Sequence, residues 1–160
     1  MHAEVKGRAA ATWSAEYWAH KGKVRLYVYR KRAAAPKKGD RSPVLFLVHG
    51  SSMSSRSGFD LQVPGRPDYS LMDHFAGLGY DVWTMDHEGY GRSDKTDSNS
   101  NVASGADDLA AAMPIVERET GQSTFFFYGG SSGALRAALF AQRHPARVAR
   151  LVLSAMVYTG

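Results

Sequence analysis

Phe125-Phe126-Phe127-Tyr128-Gly129-Gly130-Ser131-Ser132-Gly133 is the stretch that decides the fold. Four aromatic residues in a row read as a strand covered on both faces. A G-x-S-x-G sequence follows, and Ala134, Leu135, Ala137, Ala138, Leu139, Phe140 and Ala141 then supply good helix formers. Strand, serine between glycines, and helix in that order describe a nucleophile elbow, whose turn is so tight that the serine hydroxyl stands above the sheet edge. Gly129 and Gly133 are needed because strand and helix backbones approach closely there. Arg143 and His144 suit the negative end of the helix dipole, and Pro145 ends the helix. Val148-Ala149-Arg150-Leu151-Val152-Leu153 begins another strand, so the unit is β–α–β and the sheet is expected to be parallel here.

Two further motifs precede the elbow. Val44 to Val48 is a buried strand that runs into His49-Gly50-Ser51-Ser52. A loop after an early strand can provide one backbone N–H of an oxyanion hole, from Ser51 or Ser52, and Ser132, next to the nucleophile, provides the other. Asp81 to Asp86 forms a strand leading into His87-Glu88-Gly89-Tyr90-Gly91-Arg92-Ser93-Asp94. With the HG loop, the D-x-x-G-x-G-x-S loop and the elbow in this order, the chain resembles the α/β-hydrolase superfamily from about Val44 to Ser154. Glu88 departs from the pattern, since a basic residue is common there in relatives.

The resemblance implies an α/β fold: a mostly parallel sheet opened by an antiparallel hairpin, with helices on both faces. Trp13, Ala15, Tyr17 and Ala19 alternate with more polar neighbours, Lys21-Gly22-Lys23 turns the chain, and Val24, Leu26 and Val28 alternate again, as a hairpin requires. Arg30-Lys31-Arg32, Lys37, Lys38 and Arg41 read as a basic linker around Pro36 and Gly39. Ser54 to Ser70 reads as a loop, followed by a short helix over Leu71, Met72, Phe75 and Leu78. A longer helix is expected from about Val102 to Thr120, with Leu109, Ala112, Met113 and Val116 inward and a kink or division at Pro114.

Composition bounds the function. A chain of 160 residues with no cysteine has no disulfide framework and no cysteine nucleophile. No run approaches the roughly 18 apolar residues of a membrane span. The start, Met1 to Arg8, has no apolar core of a secretory signal, which leaves the cytoplasm as the default location. The net charge of +5 reads as a solvated turn plus helix-surface arginines in the segment after Ser131, which carries Arg136, Arg143, Arg147 and Arg150, rather than a nucleic-acid site. Gly89-Tyr90-Gly91 lacks the third glycine of a dinucleotide fingerprint, the elbow lacks the lysine of a phosphate loop, and no metal-ligand spacing is visible, so no cofactor and no metal are expected.

A serine needs a base, and the superfamily order is Ser, then Asp or Glu, then His. After Ser131 there is no acid, and the only histidine, His144, sits at a helix end beside Pro145. His49 reads as a loop-shaping residue, with Gly50 beside it, and Asp86 as an anchor of its own turn. The expectation is therefore the N-terminal part of a single hydrolase domain (1–160), covering about six strands. Ser131 would be the nucleophile toward a small ester-like substrate, and the acid and histidine would come from a C-terminal half or a companion chain. The rival expectation is a hydrolase-like domain that binds a small ligand without turning it over, or an incomplete, inactive fragment.

Overall fold

A computed structural model describes residues 12–156. The N-terminal residues read above for a signal, and the last four residues, lie outside that range. Six strands are described: β1 (Trp13–Lys21), β2 (Val24–Arg32), β3 (Val44–Val48), β4 (Asp81–Met85), β5 (Phe125–Gly130) and β6 (Val148–Ser154). They form one sheet in the order β1-β2-β4-β3-β5-β6. β1 and β2 pair antiparallel along their full length, and β2 joins β4 antiparallel. The β4–β3, β3–β5 and β5–β6 pairs are parallel. The expected hairpin-plus-parallel α/β sheet is present.

Among the described residues, four α-helices accompany the sheet: α1 (Ser55–Phe59), α2 (Leu71–Gly77), α3 (Val102–Thr120) and α4 (Ser132–Arg143). Period-two alternation in β3 assigns its side chains to two layers. Val44, Phe46 and Val48 pack with Leu109, Ala112, Met113 and Val116 of α3 and Ala137 and Phe140 of α4. Leu45 and Leu47 face the other way, against Met72 and Ala76 of α2.

Three expectations are corrected. The segment from Ser54 to Ser70 is not all loop, because it contains α1. Of the two outcomes expected at Pro114, division does not occur: α3 runs through it for 19 residues, capped by Asn101 and closed by Gly121 at φ 65°. Pro114 is exposed, while Ala112, Met113, Ile115 and Val116 around it are buried. The helical hydrogen bond that proline deletes is thus lost on the solvent side, and apolar packing holds both halves on the sheet.

The third correction concerns charge. Arg30-Lys31-Arg32 is the buried end of β2, not a linker. Arg30, 1% exposed, lies 5.3 Å from the Trp13 ring centroid and 4.8 Å from that of Trp83. It donates to Asp81 through Nε at 2.8 Å and Nη2 at 2.5 Å. Lys31, on the opposite face, reaches Asp60 and Asp73, each at 2.6 Å, and Arg32 pairs with Asp40. Buried cations survive only with such partners. Lys37, Lys38 and Arg41 are exposed, as a solvated turn should be.

Candidate functional site

Because β3, β4 and β5 are parallel neighbours, the loops that leave their C-terminal ends emerge along one sheet edge, where open α/β sheets bind ligands. The HG loop, the His87–Asp94 loop and Ser131 all lie there. Ser131 joins β5 directly to α4 with φ 55° and ψ −128°, a conformation costly for any residue with a Cβ. Its N–H donates to the Ser154 carbonyl of β6 at 2.9 Å. It occupies the helix N-cap position, yet its side chain makes no capping hydrogen bond, and the residue is exposed. The hydroxyl is therefore not spent on holding the helix.

The elbow's glycines are sterically required. A Cβ on Gly129 would lie 2.6 Å from the Gly133 carbonyl oxygen, and one on Gly133 would lie 2.3 Å from that of Val48. The HG loop presses against the same turn: a Cβ on Gly50 would lie 2.9 Å from the Gly130 carbonyl oxygen and 3.1 Å from Ser131 Cβ. Ser51 Oγ and Ser132 Oγ are 2.9 Å apart, tying the HG loop to the first residue of α4. Ser52, at φ 72°, completes the bend. The structure thus brings Ser131, Gly50 and Ser51 together on a shallow cleft of about 280 Å3, whose walls include Met53, Phe59 and Tyr128, while Ser132 and Ser52 adjoin these residues without lining it.

His49 is 2% exposed, and both its ring nitrogens are engaged. The His87 backbone N–H donates to Nε2 at 3.0 Å, and Nδ1 lies 2.7 Å from the Gly50 carbonyl oxygen. A backbone N–H can only donate, so the single ring proton sits on Nδ1 and is given to Gly50. Burial first, then the nearby His87 ring, pushes the His49 pKa down to about 3. His49 is a neutral loop-shaping residue.

His87 is fully buried, with Nδ1 3.1 Å from Asp108 Oδ2. Burial lowers its pKa more than Asp108 raises it. Asp108 of α3 also accepts the Glu88 N–H at 3.0 Å and pairs with Lys21 at 2.5 Å. Burial favours the protonated carboxyl, but the His87 and Lys21 hydrogen bonds outweigh it and hold the Asp108 pKa below its usual value. Lys21 also pairs with Glu88 at 2.6 Å, so the acid in place of a base at position 88 has a cation of its own. Neither imidazole has the free, solvent-facing nitrogen that a base for Ser131 needs. Asp86 anchors loops, as expected, accepting from Ser55 N–H at 2.8 Å, Ser55 Oγ at 2.6 Å and Arg92 N–H at 2.9 Å.

The sequence profile of the serine aminopeptidase, S33, family matches residues 42–159. The chain belongs to that family. No curated protein matches the sequence. Among solved structures, a predicted CIB-like hydrolase from Thermoplasma acidophilum is 17% identical with a TM-score of 0.68, over 92% of this chain and 65% of that one. An epoxide hydrolase from Vigna radiata is 16% identical with a TM-score of 0.70, over 91% of this chain and 39% of that one. A 2-hydroxy-6-oxo-6-phenylhexa-2,4-dienoate hydrolase from a Rhodococcus strain is 17% identical with a TM-score of 0.64, over 92% and 48%. At these identities the likeness concerns the fold, which is that of the α/β-hydrolases. The chain spans less than two thirds of the length of each. Among the described residues, no helix is long and apolar enough to cross a membrane.

Within this S33 family member, sequence reasoning missed three residues that support the loop after β4. Asp108 and Lys21 had no motif tying them to Ser131. The signal available was an acid one turn before Ala112 on the apolar face of α3. Arg136 was expected on the helix surface, yet it is 2% exposed. Its Nη2 donates to the Ser100 carbonyl at 2.8 Å, and its guanidinium carbon lies 5.5 Å from the Tyr90 ring centroid. Gly105 makes the room, since a Cβ there would lie 2.4 Å from Arg136 Cδ. Burial raises the Tyr90 pKa, but Ser51, Arg136 and the Ser52 amide together bring it below its ordinary value.

Proposed function

We propose that the protein is a serine hydrolase that cleaves a carboxylic ester or a related acyl bond. Ser131 attacks the carbonyl carbon, and the N–H groups of Ser132 and of Ser51 or Ser52 stabilise the oxyanion. A histidine takes the Ser131 proton and passes it to the leaving group, oriented by a carboxylate. Both come from residues beyond 160, in the same or a companion polypeptide, a reading supported by the fraction of each related structure that this chain spans. The observation that carries the proposal is Ser131 itself: a strained, exposed serine at a strand–helix junction, its hydroxyl unspent, with the HG loop against it. Serine at the elbow argues against epoxide opening, which uses an aspartate there. The apolar walls of the cleft suit an acyl group, and the family's description makes a peptide N-terminus the competing substrate.

The test is intact mass of the full-length protein after a fluorophosphonate probe, with turnover of p-nitrophenyl esters and aminoacyl arylamides measured alongside. One adduct on Ser131, absent from Ser131→Ala, together with a loss of turnover exceeding about 1,000-fold is expected. Undiminished turnover by Ser131→Ala refutes the mechanism. A protein that binds esters but neither hydrolyses them nor takes the probe is the ligand-binding alternative.

A further inference from the structure

The contacts behind the HG loop form one directed chain of hydrogen bonds. It starts at Asp108, whose Oδ2 receives both the His87 Nδ1–H and the Glu88 backbone N–H. One carboxylate oxygen thereby grips both the side chain and the main chain of the loop after β4. Its other oxygen is neutralised by Lys21, which brings the β1–β2 hairpin into the same cluster. The loop so held presents the His87 backbone N–H to His49 Nε2, and that sets the His49 tautomer. His49 Nδ1–H then takes hold of the Gly50 carbonyl.

The last step reaches the cleft through peptide geometry. In a trans peptide the carbonyl and the following N–H point in opposite directions, and none of the described peptide bonds is cis. With the Gly50 carbonyl drawn toward the buried His49 ring, the Ser51 N–H is turned away from it, out of the buried side of the loop. Ser51 itself is exposed and meets Ser132.

We infer that Asp108, acting through His87 and His49, is a positioning residue for the Gly50–Ser51 peptide of the HG loop, and so for the Ser51 N–H. The inference rests on the serine-hydrolase reading. Asp108 touches no reacting atom; it holds still a peptide that must face the developing charge before reaction begins. Lys21, Glu88, Asp108 and Arg136 are the charged groups around the two imidazoles. Two cations and two carboxylates sum to zero, which lets Asp108 stay ionised and both rings stay neutral.

The experiment compares full-length wild type with Asp108→Asn, an isosteric change that removes the charge. Imidazole nitrogen NMR reads the tautomers, and p-nitrophenyl acetate turnover reads the chemistry. In the wild type, both rings carry their proton on Nδ1. In the variant, the His49 single-tautomer signature is lost and kcat falls about 100-fold while KM stays within about threefold, the pattern of a misplaced transition-state contact. A folded Asp108→Asn protein with the His49 tautomer and kcat unchanged overturns the inference. So does a kcat loss that only tracks the folded fraction. A wild-type His49 protonated on Nε2 overturns it without any variant, which covers the case in which Asp108→Asn does not fold. If the wild type turns over no ester, the hydrolase reading fails separately. The tautomer comparison then still decides whether Asp108 positions the Gly50–Ser51 peptide.

Discussion

Acidification from about pH 8 to about pH 5.5 should destabilise the protein through His49 and His87. Both are buried and neutral, and both have pKa values below the ordinary 6.5, His49 at about 3. In the unfolded chain each imidazole binds a proton as the pH falls through about 6.5, whereas the folded protein must stay unprotonated. The unfolded state therefore holds more protons in this window. The stability these groups contribute is complete above about pH 7 and is lost progressively as the pH falls toward the folded values. At about pH 5.5 the His49 ring costs RT ln(1 + 10), about 1.4 kcal/mol, and His87 adds a loss of the same sign. Carboxylates add little there. Asp108 and Glu88 have lowered pKa values, but their losses begin only below their unfolded values of 3.8 and 4.5. Urea unfolding at the two pH values and constant ionic strength measures the difference. Repeating it with His87→Gln isolates one ring and should reduce the pH-dependent loss, leaving the His49 part. An unchanged pH-dependent loss in His87→Gln would mean that the ring titrates in the folded protein, and the hydrogen-bond chain behind the HG loop would be wrong.

Two further expectations follow from the packing. Gly133→Ala places a methyl 2.3 Å from the Val48 carbonyl oxygen and 2.6 Å from that of His49. Backbone cannot yield as a flexible side chain does, so a stability loss of about 1–3 kcal/mol and weaker fluorophosphonate labelling of Ser131 are expected; normal labelling with unchanged urea midpoint refutes the close-approach argument. Arg30→Met leaves Asp81 buried without its bidentate partner, costing about 3–5 kcal/mol in urea unfolding, and a neutral result would mean that the Arg30–Asp81 pair is not desolvated.

Much of this protein is written locally. Alternation in Trp13–Ala19 and Val24–Val28, the aromatic run of Phe125–Tyr128 and the small apolar residues after Gly133 determine strands and helices through neighbours a few residues apart. The elbow is legible for the same reason, since a tight strand–helix turn can be made only by glycines at fixed offsets from the serine. What the sequence could not announce is where the charges go. Arg30 finds Asp81 across the β2–β4 pairing, Lys31 finds Asp60 and Asp73 beneath the opposite face, and Arg136 fills the space that Gly105 leaves open. Asp108 lies 23 residues before Ser131 in an unremarkable helix, and only the packing of α3 beneath the loop after β4 connects it to His87, His49 and the HG loop. Periodicity reports which face of an element is apolar, because burial of apolar surface is non-directional and repeats along the chain. A buried ion pair or a directed hydrogen bond depends on a single partner at a single distance, and that partner is supplied only when distant segments have packed.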